Sequence, residues 1–197
     1  MKKQIVIGLT GTIGMGKSTA AKILRGFGFP VYDADKSVHQ LLRKGGRAVQ
    51  SVGTLFPEAL KRGAIDRTIV ARSVFHDAVR LKKLEQILHP LVRDIENNFL
   101  KKNKRHRAVI LEIPLLFETG AEKRCDFTIC VTAPRDVQMR RVLQRKGMTA
   151  TKLRAILKRQ MSDRQKRKKA DYIVDTGTNL KNTKAHLKAL LIDQGLM

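Results

Sequence analysis

The order of apolar runs and apolar stripes along the chain predicts alternating strands and helices. Five short apolar runs are bounded by glycine, proline or polar residues, which is typical of buried strands. Between them, apolar residues recur every three or four positions, which is typical of amphipathic helices. This alternation predicts an α/β fold with a doubly wound, five-stranded parallel sheet. The predicted strands are 4–10, 28–32, 108–113, 127–132 and 171–175.

The middle of the chain shows helical periodicity without a clear strand, so we interpret residues 36–101 as a helical insertion into the α/β core. Within it, Asp66 is placed to cap a helix. A longer helix is predicted from Ala78 to Lys101, and Pro90 inside it predicts a kink or a break near His89. A second substrate would bind to this insertion.

After the fourth strand, three more helices are predicted. Pro134 opens a helix over 136–145, and Thr149 is placed to cap the next one, which runs to about residue 162. A closing helix begins near Leu180.

Residues 11–19 match the pattern G-x-x-x-x-G-K-[ST] of a phosphate-binding loop, between a predicted strand and a predicted helix. Glycines let backbone N–H groups approach phosphate oxygens, Lys17 adds positive charge at the β- and γ-phosphates, and the Ser18 hydroxyl is a candidate Mg²⁺ ligand. The sequence therefore predicts binding of a nucleoside triphosphate. The candidate binding residues are Gly11, Thr12, Ile13, Gly14, Met15, Gly16, Lys17, Ser18 and Thr19.

Two aspartates, Asp33 and Asp35, follow the predicted second strand. The carboxyl ends of strands in an open α/β sheet face the ligand crevice, so both belong to the edge that carries the phosphate loop. On an extended stretch they would point to the same side, where a carboxylate can accept a hydroxyl proton or reach Mg²⁺ through water. The alternative is that Asp35 only caps the next helix and Asp33 is a turn residue. The spacing favours neither.

Basic side chains supply further candidates. Arg141 and Arg145 are four residues apart in a predicted helix and would share one face, where they could clamp phosphate oxygens. Lys146-Gly147 permits the bend that a closing lid needs, and the alternative is a solvated basic face. Arg93, one turn after His89, could approach an anionic substrate, although a lone histidine on an apolar stripe more often has a structural role.

The remaining motifs separate the classes of phosphate-loop proteins. The N-K-x-D motif of Ras-like GTPases is absent, since Asn103-Lys104 is followed at the fourth position by His106. The run 109–111 ends in Glu112 alone, a weak match to the acidic strand of ABC or AAA-type ATPases. A small-molecule kinase needs an acid for the acceptor hydroxyl, a substrate pocket and mobile arginines, and each has a candidate above. A kinase of a nucleoside or another metabolite is one alternative.

The chain is strongly basic, with 41 Lys and Arg against 17 Asp and Glu and a net charge of +24. The resulting positive field favours polyanions such as nucleotides, nucleic acids or acidic membranes. There is no zinc-finger or RNA-binding aromatic motif. A basic surface suited to a phosphorylated ligand is therefore preferred, with a nucleic-acid-binding protein as the alternative outside the enzymes.

Several classes of location and partner are disfavoured. No stretch approaches the ~20 apolar residues of a membrane span, and the first apolar run leads directly into the phosphate loop, so it is a strand rather than a signal peptide. We expect a cytoplasmic monomer or weak homo-oligomer with a small-molecule substrate and no specific nucleic-acid or membrane partner. Cys125 and Cys130 match no zinc or redox spacing and would face opposite sides of a strand, so a disulfide between them is not expected.

Together these motifs resemble the dephospho-coenzyme A kinase family over nearly the whole chain. Many families share the phosphate loop, but its combination in this order with D-A-D, H-P and P-L-L-F-E is specific. The matching segments are Gly8–Thr19, Asp33–Asp35, Asp66-Arg67, Phe75, His89-Pro90, Ile113–Glu118, Gln138, Arg141, Arg145, Gln160 and Ala170-Asp171.

The resemblance implies transfer of the γ-phosphoryl group of ATP to the ribose 3′-hydroxyl of dephospho-coenzyme A, the last step of coenzyme A synthesis, with Mg²⁺ required. It implies catalytic roles for Asp35 as general base, for Lys17 and for Arg141, with Arg145 also on the nucleotide. The residues that would lie near the acceptor are Asp33, Asp35, His89, Arg93, Leu115, Leu116, Phe117 and Glu118.

The resemblance also implies a single kinase domain over 1–197, with a core at about 1–35 and 107–197, a helical insertion at about 36–101 and a lid at about 138–170. Three positions depart from the family pattern. Thr12 stands where Gly is usual, Glu112 stands where Asp is frequent, and the stretch Asp175–Asn179 differs near the adenine site.

Overall fold

A computed structural model describes residues 3–75 and 77–197 of the chain. The strands are β1 (Ile5–Thr10), β2 (Val31–Asp33), β3 (Leu60–Lys61), β4 (Ala64–Ile65), β5 (Ala108–Glu112), β6 (Phe127–Thr132) and β7 (Tyr172–Asp175). The helices are α1 (Lys17–Gly26), α2 (Ala34–Leu42), α3 (Val49–Leu55), α4 (Arg67–Ser73), α5 (Ala78–Lys102), α6 (Arg135–Leu143), α7 (Ala150–Arg159), α8 (Asp163–Lys169) and α9 (Leu180–Asp193). Short 3₁₀ turns are formed by Pro57–Ala59 and Ala121–Arg124.

The central sheet is parallel and has the order β2-β5-β1-β6-β7, which confirms the predicted fold class. Because the strands are parallel, their carboxyl ends share one edge. The loops that follow β1, β5, β6 and β7 therefore leave the sheet at the same side, which is where ligands bind in open α/β sheets.

The core of the sheet is built from apolar residues of the strands and of α1 and α9. Ala20, Ala21 and Leu24 of α1 are fully buried, as the helical spacing predicts. Leu187 and Leu191 of α9 are also fully buried and belong to the same cluster. This packing holds α1 against the sheet, and α1 begins at the end of the phosphate loop.

The chain forms two compact units, one made of the residues up to Tyr32 together with Asn103–Met197 and the other of Asp33–Lys102. The second unit contains α2 to α5 and the antiparallel pair β3-β4. It has its own apolar core, to which Leu41, Phe56, Val70 and Leu84 contribute.

The helical unit contains one element that was not predicted, and it excludes one of the two alternatives expected near His89. The pair β3-β4 lies in a stretch where no strand was predicted, because two-residue strands are too short to produce an alternating pattern; Arg62 and Gly63, both with positive φ, make the turn. The long helix is not broken at Pro90, since α5 is one helix from Ala78 to Lys102. Apolar residues on both sides of the proline, including Leu84 and Leu91, pack into one cluster and hold the helix together.

Several local signals act as predicted. Asp66 caps α4 by accepting hydrogen bonds from the N–H groups of Thr68 and Ile69. Thr149 caps α7 by accepting from Lys152 N–H. Helix α8 was not predicted, because seven polar residues carry no apolar stripe; its local signal is a capping box formed by Ser162 and Gln165.

The second strand starts later than predicted, at Val31. Gly28 has a φ of 90°, and Pro30 has no N–H to donate to a neighbouring strand. The Pro30 carbonyl instead accepts a hydrogen bond from Ile110 N–H at 2.9 Å.

Neither Cys125 nor Cys130 forms a disulfide bond, as expected. Cys125 precedes β6, whereas Cys130 is fully buried within it, and burial raises the pKa of the Cys130 thiol to about 12. None of the described helices is long and apolar enough to cross a membrane.

Candidate active site

The phosphate loop connects β1 to α1 and requires glycine at two positions. Gly14 and Gly16 have φ angles of 82° and 79°, in the left-handed region. A Cβ atom on Gly14 would lie 2.5 Å from Val142 Cγ2, and one on Gly16 would lie 2.6 Å from Thr176 Oγ1. Backbone angle and close packing therefore both demand glycine, and the loop is seated against α6 and the residue after β7.

Replacing Gly16 by Ala should lower ATP affinity at least tenfold and destabilise the fold. The left-handed angle alone costs an L-residue about 1–2 kcal/mol, and the new Cβ also collides with Thr176. Chemical unfolding and calorimetric ATP titration measure both effects. Gly28→Ala is the matched control, since Gly28 has a φ of 90° but a Cβ added there would meet no described atom within 4 Å. It should lose stability and keep ATP affinity; wild-type ATP affinity in Gly16→Ala would contradict the prediction.

Lys17 is paired with a buried acid at the end of the neighbouring strand. Lys17 Nζ lies 2.8 Å from Glu112 Oε1, and the Glu112 side chain is only 3% exposed. Arg25 Nη2 approaches the other carboxylate oxygen at 3.8 Å. The pairing arises because β5 lies beside β1, with Glu112 in register with Leu9. Glu112, which the sequence offered only as a weak match to the acidic strand of ATPases, thus orients Lys17 of the phosphate loop.

Arg141 contacts the support of the loop. Its Nη1 and Nη2 atoms donate to Thr176 Oγ1 at 3.1 Å and to the Thr176 carbonyl at 2.6 Å. Thr176 Oγ1 in turn donates to the Met15 carbonyl at 2.9 Å. One threonine therefore joins Arg141 to the phosphate loop, a role that no sequence motif indicated.

The prediction that Arg141 and Arg145 share a helical face is wrong. Helix α6 ends at Leu143, and Arg145 is exposed in the turn that follows. Gln144 is the C-cap of the helix, and Gly147 takes a left-handed φ of 74° four residues after Leu143. Arg145 remains a candidate only as a residue of the segment between α6 and α7.

The loop after β5 contains the predicted acceptor residues 115–118, and most of them have structural contacts. Leu116 is fully buried and Phe117 is 7% exposed. Glu118 accepts a hydrogen bond from Met161 N–H at 2.7 Å and pairs with the fully buried Lys166 at 2.8 Å. Leu115, which is 37% exposed, is the apolar side chain of this loop that a ligand can reach.

In the helical unit, the two aspartates have different environments. Asp33 ends β2 and caps α2 by accepting a hydrogen bond from Lys36 N–H at 3.0 Å. Asp35 lies in the first turn of α2 and is exposed. The expectation that both sit on one extended stretch is wrong, because the helix already begins at Ala34. The cap is Asp33, which leaves the Asp35 carboxylate available for chemistry.

His89 and Arg93 lie one turn apart on α5, and both are exposed. Arg93 Nη1 is 3.3 Å from Oε1 of Glu96, whose side chain is 3% exposed. Burial raises the pKa of Glu96, and the positive charge of Arg93 opposes the shift. The contact directs one guanidinium nitrogen toward the helix.

The donor set at the loop suits a hard divalent cation. Ser18 is an exposed hydroxyl in the first turn of α1, and Glu112 supplies a carboxylate near Lys17. Oxygen ligands are those Mg²⁺ prefers, together with substrate phosphates and water. Residues 3–75 and 77–197 contain no cluster of three or more His, Cys, Asp or Glu side chains that could hold a metal alone.

The parallel sheet, the glycine-bounded loop and Lys17 at the start of α1 define a nucleotide-binding protein of the P-loop class. The family model of dephospho-CoA kinase matches residues 5–182. The chain therefore belongs to the dephospho-CoA kinase family, which confirms the resemblance found in the sequence.

Individual relatives agree with this assignment. A dephospho-CoA kinase of Paramagnetospirillum magneticum is 53% identical over 164 residues, which are 82% of this chain and 77% of that protein. A crystal structure from Thermus thermophilus superimposes with a TM-score of 0.87 at 40% identity, covering 98% of both chains. The dephospho-CoA kinase of Campylobacter jejuni gives a TM-score of 0.64 at 25% identity, covering 96% of this chain and 97% of the other.

Proposed function

We propose that this protein transfers the γ-phosphoryl group of ATP to the 3′-hydroxyl of dephospho-coenzyme A, giving coenzyme A and ADP. The observation that carries the proposal is the phosphate loop of a chain that belongs to the dephospho-CoA kinase family, with Lys17 oriented by Glu112. Phosphoryl transfer needs little covalent participation by the protein, so positioning and charge neutralisation account for most of the rate.

At the donor end, residues 11–19 bind the triphosphate through backbone N–H groups and the positive end of α1. Lys17 neutralises charge at the β- and γ-phosphates. Ser18 would hold Mg²⁺, which when bound neutralises phosphate charge. Arg141 and Arg145 belong to a lid segment at about 138–170, whose ends at Gln138 and Gln160 are bonded to the phosphate loop. Arg145, in the exposed turn between them, would close over the phosphates, and Arg141 would reach them from beside Thr176.

At the acceptor end, Asp35 is the general base that accepts the proton of the attacking hydroxyl. Its carboxylate is exposed, whereas that of Asp33 is committed to the cap of α2. His89 and Arg93 of the helical insertion at about 36–101, together with Leu115, would contact the acceptor. Leu116, Phe117 and Glu118 support the loop from inside. Outside the helical insertion, the α/β core of the kinase domain covers about 1–35 and 107–197.

A coupled assay of ADP release, with and without dephospho-coenzyme A, tests the proposal. ADP release should depend on the acceptor, and mass spectrometry should find one added phosphoryl group on the product. If ADP is released with a nucleoside but not with dephospho-coenzyme A, the protein is instead a nucleoside kinase. A protein that transfers no phosphoryl group and binds RNA with steep salt dependence would instead be the nucleic-acid-binding alternative.

The proposed function also bears on the location and the oligomeric state of the protein. We propose a cytoplasmic enzyme that acts as a monomer or weak homo-oligomer on a small-molecule substrate. The excess of Lys and Arg would then serve a substrate pair that carries several phosphate groups.

A further inference from the structure

Two glutamine side chains hold Ile13, the third residue of the phosphate loop, from different elements. Gln138 of α6 donates through Nε2 to the Ile13 carbonyl at 2.8 Å and to Thr12 Oγ1 at 3.2 Å. Gln160, which follows α7, accepts through Oε1 from Ile13 N–H at 3.0 Å. The two amide groups thus engage both peptide groups that flank the Ile13 Cα atom.

These contacts fix the direction of the two peptide groups on either side of Ile13. The described part of the chain has no cis peptide bonds, and in a trans peptide the N–H and the C=O point in opposite directions. Since Ile13 N–H points to Gln160, the Thr12 carbonyl points the other way, where it accepts from Met15 N–H at 3.2 Å. Since the Ile13 carbonyl points to Gln138, the N–H of Gly14 points away from that side chain.

The glutamines are themselves held in place. Gln138 is 6% exposed. Helix α6 packs closely against the loop, since a Cβ atom added to Gly14 would lie only 3.1 Å from Gln138 Cγ. Gln160 precedes Met161, whose N–H donates to Glu118 at 2.7 Å. Asp163, three residues after Gln160, accepts a hydrogen bond from Thr132 Oγ1 at 3.0 Å. The segment that carries Gln160 is therefore tied to the loop after β5 and to the end of β6, as well as to the phosphate loop.

Glutamine suits this role because it is neutral. A carboxylate would accept from the Ile13 N–H equally well but would repel the phosphates, and a lysine could donate to the Ile13 carbonyl but would compete for them. The amide supplies an acceptor at one peptide group and a donor at the other without adding charge. Neither side chain needs to touch the nucleotide to affect its binding.

We propose that Gln138 and Gln160 are positioning residues that hold the phosphate loop in its binding conformation before ATP arrives. The donors from Gly14 onward are then already oriented, and binding does not have to include the cost of ordering them. The kinetic part of this inference rests on the proposed phosphoryl transfer, whereas its binding part requires only that the protein binds ATP.

Gln160→Met and Gln138→Met test the inference, since methionine keeps the length of the side chain and removes its hydrogen bonds. ATP binding is measured by calorimetry, and steady-state kinetics give KM for each substrate. Gln160→Met should weaken ATP binding roughly three- to tenfold, and Gln138→Met, which loses two hydrogen bonds, should weaken it more. KM for ATP should rise in parallel, while KM for dephospho-coenzyme A stays within twofold of wild type.

Gln50→Met is the matched control, because Gln50 is exposed on α3, and it should bind ATP like wild type. An unchanged ATP dissociation constant in Gln160→Met would overturn the inference, and so would equal increases of both KM values, because the phosphate loop binds ATP and not the acceptor. A merely structural defect would lower the active fraction, and with it the apparent kcat, without changing either KM. If Gln160→Met does not fold, Gln138→Met carries the same comparison. If wild type binds ATP but does not phosphorylate dephospho-coenzyme A, the proposed function fails and the binding data still decide this inference.

Discussion

Replacing Asp35 by Asn should lower kcat with dephospho-coenzyme A by about 10²- to 10⁴-fold, which is the usual contribution of a general base. The asparagine keeps the size of the side chain in the first turn of α2 but cannot accept the hydroxyl proton. ATP affinity should stay at the wild-type value, because the phosphate loop is unchanged. Steady-state kinetics and calorimetric titration with ATP measure the two quantities separately.

Asp94→Asn provides the control for this prediction. Asp94 lies in the same helical unit and forms a half-exposed ion pair with Arg47 at 2.8 Å, a type of pair that contributes little to stability. Its kcat should equal that of wild type. An Asp35→Asn enzyme that retains more than about a tenth of the wild-type kcat would exclude Asp35 as the base, because a lost general base costs at least about 10²-fold.

Replacing Lys17 by Met should reduce phosphoryl transfer by about 10²- to 10³-fold, because a positive charge at the β- and γ-phosphates is lost where charge develops. The same change should lower the free energy of unfolding by up to about 3 kcal/mol, since it leaves the buried Glu112 carboxylate without its partner at 2.8 Å. Arg25, at 3.8 Å from Glu112, moderates this loss.

A second substitution separates the two effects of Lys17. In Lys17→Met/Glu112→Gln the buried charge is gone, so stability should return toward wild type while transfer stays low. Lys22→Met, on the exposed face of α1, is the control and should change neither quantity. If the double variant regains transfer, Lys17 acts through Glu112 and not on the phosphates. Denaturant unfolding and the ADP-release assay give the two readouts.

The functional residues differ in how far the sequence alone could place them. The assignment of Asp33 and Asp35 needed the start of α2, which the sequence left open within two residues: only with Ala34 already helical does Asp33 become the cap. The loss of Arg145 from the helical face has a similar cause, because the helix ended two residues early at Leu143. Element ends are decided by small energy differences that tertiary contacts easily reverse.

The loop after β5 shows another limit. Its P-L-L-F-E pattern indicated a ligand site, but Leu116 and Phe117 are buried in the fold and Glu118 is paired with Lys166. A sequence motif does not show whether each of its residues contacts the ligand or only supports the loop that contacts the ligand. The side-chain environment supplied that distinction.

The sequence by itself determined the features that depend on near neighbours. The strand, glycine loop and helix from Ile5 to Gly26 were predictable from the local order of apolar residues and glycines. The caps by Asp66 and Thr149 were predictable because their partners lie within three residues. Tertiary structure alone decided the supports of the loop. Lys17 meets Glu112 across 95 positions, and Ile13 meets Gln138 and Gln160 across 125 and 147 positions. Such partners become neighbours only when the parallel sheet brings the ends of its strands to one edge.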